Sequence, residues 1–125
     1  MNIDGSVDSA FNSTSSQFGT EAIVLQPDGK IIVGDDFSNL ARLNTDGSVD
    51  PTFVLDDTVD YDLWSLALQP DGKILVGRSY SRQILRLNTD GSVDLTFVLG
   101  DGVGEGAQAI VVLPNERFCF QLSEL

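Results

Sequence analysis

The chain has no histidine and only one cysteine, Cys119, among its 125 residues. The missing histidine removes the commonest general base and the commonest metal ligand, so we expect a protein that is not an enzyme and holds no metal or cofactor. A single cysteine excludes an internal disulfide and favours a reducing compartment. Because the first residues, MNIDGSVD, contain neither a basic region nor an apolar segment, no secretory signal is visible and we expect a cytoplasmic location.

Basic residues are also scarce. Seven lysines and arginines face nineteen aspartates and glutamates, which gives a formal net charge of −12 at pH 7. This excess of negative charge repels nucleic-acid backbones and anionic membrane surfaces, and no apolar run reaches the roughly 20 residues that span a bilayer. Hydrophobic residues still make up 42% of the chain, enough for a core. We therefore expect one folded domain over residues 1–125 that binds neither nucleic acid nor a membrane.

What the chain has in abundance is repetition of two motifs, a corner motif and a turn motif. The corner motif reads LNTDGSVDPTF at Leu43–Phe53, LNTDGSVDLTF at Leu87–Phe97 and, in a degenerate copy, MNIDGSVDSAF at Met1–Phe11. The turn motif reads QPDGK at Gln26–Lys30 and Gln69–Lys73, with a degenerate copy, LPNER, at Leu113–Arg117. Both motifs recur about every 43 residues, a period typical of solenoids, propellers and repeat arrays.

This period divides the chain into about 2.9 units. The expected boundaries are a partial unit at 1–19, complete units at 20–62 and 63–106, and a partial unit at 107–125. Each complete unit is predicted to hold four short strands. In the second complete unit these strands are Leu63–Gln69, Lys73–Gly77, Gln83–Asn88 and Ser92–Leu99.

Asp-Gly pairs mark the turns between these strands. Aspartate followed by glycine between apolar runs is the strongest short hairpin signal, because glycine tolerates the positive φ that such a turn needs. The predicted structural turn residues are Asp28, Gly29, Asp46, Gly47, Asp71, Gly72, Asp90 and Gly91. The alternating oxygen-bearing residues of NTDGSVD leave a calcium loop as an alternative to turn structure.

The apolar pattern changes in the same order along each unit. The first two strands are apolar on both faces, the third alternates, and the fourth is mostly polar apart from Phe53 or Phe97. Burial is therefore predicted to fall from the first strand to the last. That gradient is typical of a propeller blade, whose inner strands lie between neighbouring blades. We predict an all-β fold of β-propeller blades, each with four antiparallel strands.

At these motifs the sequence resembles the delta-60 repeat, a β-propeller repeat family of unknown function. The resemblance lies in Val24–Asp35, Ala41–Phe53, Ala67–Arg78 and Leu85–Phe97. It implies propeller blades, and the family brings no known catalytic residues to this chain. The chain departs from the family pattern in its short link between the second and third strands and in its degenerate third turn motif.

A single chain with this number of repeats has too few blades to close a propeller ring. Propellers usually have 4–8 blades, and an open stack leaves apolar faces and bare edges at its ends. We expect a homo-oligomer, with a dimer favoured because two chains give about six blades. Ser6–Phe11 of one chain could complete a blade that Ala107–Leu122 of the other begins. The alternatives are a gene remnant and a fragment of a longer propeller.

One loop suggests a binding site. The candidate ligand-binding residues are Asp60, Tyr61, Asp62 and Trp64, which place carboxylates and aromatic rings ahead of an inner strand. Loop solvation and a place for Trp64 in the core are the alternatives. The sequence favours a non-catalytic oligomeric interaction or ligand-binding scaffold, with a protein or a small molecule as its partner. A lectin-like small-ligand binder and an acidic inhibitor that mimics nucleic acid are the alternatives.

Overall fold

The computed structural model describes residues 2–11, 20–35, 39–56, 63–78, 84–97, 107–113 and 117–122, which form β-strands and no helix. The strands are β1 Thr20–Leu25, β2 Ile31–Asp35, β3 Leu40–Leu43, β4 Leu63–Leu68, β5 Ile74–Arg78, β6 Leu85–Leu87, β7 Ala107–Val112 and β8 Phe118–Leu122. They pair antiparallel as sheet 1 (β1–β2–β3), sheet 2 (β4–β5–β6) and sheet 3 (β7–β8). The predicted all-β class is confirmed, and the described ranges contain no helix able to span a membrane.

The turn motif closes the first hairpin of each complete unit. In sheet 1 the Gln26 N–H donates to the Lys30 carbonyl at 2.8 Å, and the Gly29 N–H donates to the Gln26 carbonyl at 2.9 Å. The Asp28 carboxylate accepts the Lys30 N–H at 3.0 Å. Gly29 has a φ of 87°, a conformation that costs little only without a Cβ. Gln69–Lys73 forms the same turn in sheet 2.

Each first hairpin also carries one register irregularity at the end away from its turn. The shifts lie between Thr20 and Ala22, between Leu63 and Ser65, and between Ala107 and Ala109. An extra residue in one strand bends it and increases its local twist. Because the irregularity recurs at the equivalent position in sheet 3, whose turn motif is degenerate, the three sheets are copies of one structural unit.

The corner motif begins with a tight turn after the third strand. The Asn44 N–H donates to the Ser48 carbonyl at 2.8 Å, and Gly47 has a φ of 89°. The Asp46 carboxylate accepts both the N–H of Ser48 at 2.9 Å and its hydroxyl at 2.6 Å. Aspartate and glycine therefore do different things here: the carboxylate holds the turn and the glycine permits it.

Beyond this turn, the described part of the predicted fourth strand makes one bridge in each unit. Val49 pairs with Leu43, and Val93 pairs with Leu87. The chain then turns again, because the side chain of the following aspartate accepts backbone and hydroxyl hydrogens two residues ahead of itself. A four-stranded blade stays a prediction, since sheets 1 and 2 hold three strands each.

The sheets stack face to face, with β4 packing against β1 on one side and β7 on the other. One core layer lies between sheets 1 and 2 and the other between sheets 2 and 3. The first contains Ile32, Leu40, Phe53, Ile74, Val76 and Leu87, and the second contains Ala67, Leu75, Ile84 and Ile110. Phe53 is buried as the predicted anchor of its corner motif, and Phe97 packs against the second layer.

The predicted fall of burial from first strand to last is wrong for sheet 1. Ile23 and Leu25, in its first strand, are 64% and 68% exposed, while Phe53 near the end of the unit is 8% exposed. Sheet 2 differs because it has a sheet on both faces, and its second strand is the most buried: Ile74, Leu75 and Val76 are all 0% exposed. Burial thus follows the number of neighbouring sheets rather than strand order alone.

Adjacent sheets also meet at their corner motifs. The Val54 N–H donates to the Asp90 carbonyl at 2.8 Å. Gly91 lies so close that an added Cβ would stand 2.8 Å from the Val54 carbonyl oxygen, whereas at Gly72 it would meet only the Thr89 methyl group, at 3.1 Å. The close approach of backbone to backbone therefore requires glycine at 91 for two reasons, its positive φ and its lack of a side chain.

We expect Gly91→Ala to destabilise the chain more than Gly72→Ala. Both glycines have positive φ, 92° and 87°, so both variants carry the left-handed backbone cost of about 1–2 kcal/mol. Only Gly91→Ala also pushes apart the backbones of two neighbouring sheets. The added Cβ of Gly72→Ala meets only the Thr89 methyl group, which can rotate away. Urea unfolding of the two variants measures the difference. Equal losses would show that the corner contact contributes little to the stacking of sheets 1 and 2.

Candidate functional site

The most elaborate polar arrangement in the described residues surrounds Asp50, whose side chain is only 4% exposed. One carboxylate oxygen, Oδ2, accepts from Lys30 Nζ at 2.7 Å and from Arg42 Nε at 2.8 Å. The other, Oδ1, accepts from the backbone N–H of Thr52 at 2.9 Å and from its hydroxyl at 2.6 Å. We call this group of four residues the aspartate clasp.

The second unit contains the same clasp at equivalent positions. Asp94 Oδ2 accepts from Lys73 Nζ and Arg86 Nε, both at 2.8 Å. Its Oδ1 accepts from the N–H of Thr96 at 3.0 Å and the hydroxyl at 2.6 Å. Atom for atom, the two clasps use the same donors, so the arrangement belongs to the repeat and not to one loop.

The local fold brings the four residues of a clasp together. The lysine ends the turn motif, directly before the second strand, and the arginine lies on the third strand paired beside it. The aspartate follows the corner turn, where the Asp50 N–H donates to the Arg42 carbonyl at 2.8 Å. The clasp therefore ties the turn motif, the third strand and the corner motif of one sheet to a single carboxylate.

Each arginine of the clasp also stacks on the phenylalanine that ends the corner motif. Arg42 Cζ lies 5.0 Å from the centre of the Phe53 ring, and Arg86 Cζ lies 4.6 Å from that of Phe97. A guanidinium over an aromatic face is attracted by the ring quadrupole. Arg42 also donates from Nη1 to the Thr89 carbonyl of sheet 2 at 2.7 Å, so this clasp reaches across to the neighbouring sheet.

The electrostatics of the clasp favour the ionised carboxylate. Hydrogen bonds from the Lys30 ammonium and then from Thr52 hold the pKa of Asp50 well below its ordinary value of 3.8. Lys73 and then Thr96 do the same for the pKa of Asp94. Each carboxylate thus accepts four hydrogen bonds, about its full capacity. Such a group has no open lone pair for a proton or a metal, and two cations already neutralise it.

The predicted turn residues lie where the chain reverses. Gly29, Gly47, Gly72 and Gly91 all have positive φ. Asp28 and Asp71 each accept the backbone N–H of the lysine two residues ahead, and Asp46 and Asp90 each accept from a serine. The serine hydroxyl, acting first, and its N–H lower the pKa of Asp46 and of Asp90. These oxygens already have partners, and no three acidic or cysteine side chains of the described residues form a metal-binding group.

The structure describes little of the predicted ligand-binding loop. Asp60, Tyr61 and Asp62 lie outside the described residues, and Trp64 occupies the second position of β4, where only its backbone is described. Sequence reasoning missed the clasp instead. Its signal was present, because lysine, arginine, aspartate and threonine recur together at equivalent positions of both units.

Comparison with known proteins locates the clasp within a recognised repeat. The family model described as "Domain of unknown function (DUF5122) beta-propeller" matches residues 26–53 and 69–97. Each match runs from the glutamine of the turn motif to the phenylalanine of the corner motif, so each contains one complete clasp. No protein among the curated ones matches the chain.

Solved structures of similar fold include virginiamycin B lyase from Staphylococcus aureus. Its selenomethionine-substituted form is 21% identical to this chain, and a catalytically inactive variant with Quinupristin is 18% identical. Each has a TM-score of 0.67, and the alignment covers 90% of this chain but 37% of that enzyme. At this identity the likeness shows the fold alone. The sheets are propeller-like, and the predicted resemblance is confirmed at its two matched repeats, which fit the model of the β-propeller family of unknown function DUF5122.

Proposed function

We propose that this chain is a non-catalytic interaction scaffold that associates with further copies of itself through the open face of sheet 1. The observation that carries the proposal is the exposure of Ile23 and Leu25, at 64% and 68%. Fully burying a side chain of this size contributes about 1.5–3 kcal/mol. A pair of neighbouring exposed aliphatic residues on one strand therefore provides a substantial drive to associate.

The repeat itself indicates what this face accepts. Ile23 and Leu25 occupy the positions that Leu66 and Leu68 occupy in the next unit. There the two leucines are partly buried, packed in the layer between sheets 1 and 2. The open face of sheet 1 thus has the sequence and the backbone of a face that elsewhere in the same chain is covered by a sheet. A sheet from another copy is the partner that fits it best.

Two observations support a non-catalytic role. The buried carboxylates of the clasps are saturated by donors, so neither can serve as a general base without breaking the sheet that it holds. The chain also has no histidine, whereas one of the similar lyase structures is a catalytically inactive histidine-to-alanine variant. The missing histidine supports a role for this chain that differs from that enzyme's activity.

Measuring the molar mass in solution tests the proposal. We expect the unaltered chain to be larger than its 13.5 kDa monomer by light scattering at micromolar concentration, and the variant Ile23→Ser/Leu25→Ser to shift toward monomer. Leu95→Ser is the matched control, because Leu95 is 87% exposed but lies in a corner motif, away from this face. A monomeric unaltered chain at high concentration, or equal masses for all three, would contradict the proposal.

Salt separates this proposal from the acidic-mimic alternative. Copies that each carry a net charge of −12 repel one another, and salt screens that repulsion beyond a Debye length of about 10 Å at 0.1 M. Association through an apolar face should therefore hold or strengthen between 50 mM and 500 mM sodium chloride. Binding to a cationic partner should instead weaken over the same range.

A further inference from the structure

The described residues contain two complete clasps and, separately, counterparts of the aspartate and the lysine of a clasp; Ala10 stands at the threonine position and has no hydroxyl. The acidic half lies in the N-terminal corner motif, where Asp8 holds the position of Asp50 and Asp94. The basic half lies in sheet 3, where Arg117 holds the position of Lys30 and Lys73 at the end of the turn motif. Neither half takes part in an ion pair with any described residue.

The acidic half already has the geometry of a finished corner. The Asn2 N–H donates to the Ser6 carbonyl at 2.8 Å, the same distance as in the corner of sheet 1. The Asp4 carboxylate accepts the N–H of Ser6 at 2.9 Å and its hydroxyl at 2.6 Å, and Gly5 has a φ of 87°. Asp8 accepts the Ala10 N–H at 3.0 Å. None of the described strands pairs with this turn, and Val7 is 84% exposed.

The basic half also has the geometry of its counterparts. The Leu113 N–H donates to the Arg117 carbonyl at 2.7 Å, as Gln26 does to Lys30 in sheet 1. Arg117 is exposed, and β8 pairs with β7 alone, whereas β2 and β5 each pair with a third strand as well. Within the described residues, sheet 3 therefore lacks the third strand that supplies a clasp with its arginine and the corner motif that supplies its acid.

The order of the repeat shows which copies must meet. The corner motif of each unit comes directly before the next sheet: Phe53 is followed after nine residues by β4. The N-terminal motif is followed after eight residues by β1, so by the same rule it belongs to a sheet on the open face of sheet 1. Sheet 3 of the same chain stands beyond sheet 2, at the opposite end of the stack.

We propose that the N-terminal corner motif of one copy docks onto sheet 3 of a second copy, where Asp8 accepts hydrogen bonds from the partner's Arg117. This acid–base pair is the part of a clasp that forms between chains, without the third-strand arginine and the threonine hydroxyl. This inference rests on the proposed self-association and names the parts that meet. The same contact lays sheet 3 of the partner on the open face of sheet 1, so one docking event covers the apolar face and neutralises an acid and a base together. Opposite charges at this junction select the register of docking more than its strength.

Complementary charge reversal tests the clasp between chains. We expect Asp8→Lys and Arg117→Glu each to raise the dissociation constant of the assembly by about tenfold for every junction that they reverse. An equimolar mixture of the two variants should associate again, because the reversed acid of one chain then faces the reversed base of the other. Sedimentation velocity on each variant and on the mixture measures this. Asp71→Lys is the matched control, since it makes the same charge change in an exposed turn of sheet 2, where the carboxylate accepts one local hydrogen bond, away from both Asp8 and Arg117.

The outcomes separate this inference from the proposed function. Restored association in the mixture alone supports the clasp between chains. If the unaltered chain stays monomeric, both the clasp and the proposed self-association are wrong. Two results would contradict the clasp between chains and leave self-association supported. In one, all variants associate as the unaltered chain does. In the other, the mixture stays dissociated while circular dichroism shows that each variant is folded. A clasp closed within one chain would also fail to recover on mixing.

Discussion

Replacing Leu75 by alanine should lower the free energy of unfolding by about 2–5 kcal/mol, the usual cost of truncating a buried leucine. Leu75 is 0% exposed and packs with Ala67, Ile84 and Ile110. Those neighbours come from both sheets 2 and 3, so the cavity would weaken the stacking of the two sheets as well as sheet 2 itself. Urea unfolding followed by circular dichroism, at a concentration low enough to limit association, measures the loss.

Leu25→Ala is the matched control for this experiment. The chemical change is the same, but Leu25 is 68% exposed on the open face of sheet 1, and substitutions at exposed sites usually stay within about 0.5 kcal/mol. Equal losses at the two positions would show that the open face is covered within a single chain. A loss below about 1 kcal/mol at Leu75 would contradict the stacking of sheets 2 and 3.

The contrast between these two leucines also marks what the sequence could predict and what it could not. The period, the hairpins and the tight turns follow from local chemistry: Asp-Gly at a turn, apolar runs on either side, and a phenylalanine at the end of each corner motif. Gly47 and Asp46 show why this works, because the contacts that matter to them lie within four residues along the chain. Local rules therefore predict the repeat and the first three strands of each complete unit.

Exposure is a different kind of property, because it depends on which sheets lie alongside. Ile23–Leu25 and Leu66–Leu68 are nearly interchangeable as sequences, and both were predicted to be buried. One is exposed and the other partly buried because sheet 2 has neighbours on both faces. No pattern within a strand encodes the number of sheets beside it. The same limit applies to the four-stranded blade. The described part of the predicted fourth strand pairs with the third strand through only one bridge in each unit.

The clasp was missed for a related reason. Within its own corner motif, Asp50 resembles an aspartate that holds a turn, and its hydrogen bonds to Thr52 do follow that rule. Its bond to Lys30 joins residues 20 positions apart, and only the pairing of β2 with β3 brings them together. The loop predicted to bind a ligand, which includes Asp60 and Tyr61, stays a prediction.

The clasps connect the fold to the proposed association. Each one fixes the corner motif against its own sheet, and the corner of sheet 1 then contacts sheet 2 through the Arg42 and Val54 hydrogen bonds. The clasp of sheet 1 therefore holds in place the corner that sheet 2 contacts. If stacking between copies uses the same edges as stacking within a copy, the ionisation of the clasp aspartates controls both, and acid should weaken both.

Acidification should destabilise the chain through Asp50 and Asp94. Because their pKa values in the folded chain lie below the ordinary value of 3.8, the unfolded chain takes up protons first as the pH falls, and the free energy of unfolding decreases. The contribution is complete above about pH 5 and is lost progressively at lower pH. The lowered pKa values of Asp4, Asp46 and Asp90 act in the same direction. Unfolding curves in urea between pH 7 and pH 2.5 measure how the free energy of unfolding changes with pH.

The double variant Asp50→Asn/Asp94→Asn isolates the part due to the clasps. We expect it to be less stable than the unaltered chain at pH 7, because two partly buried lysine–arginine pairs lose their counter-charge, and to lose about one proton of pH dependence for each aspartate replaced. Asp28→Asn removes the same charge from an exposed turn that makes one local hydrogen bond, and should keep nearly the full slope. If the double variant and Asp28→Asn respond to acid alike, the clasps do not carry the acid sensitivity, and turn aspartates such as Asp46 must account for it.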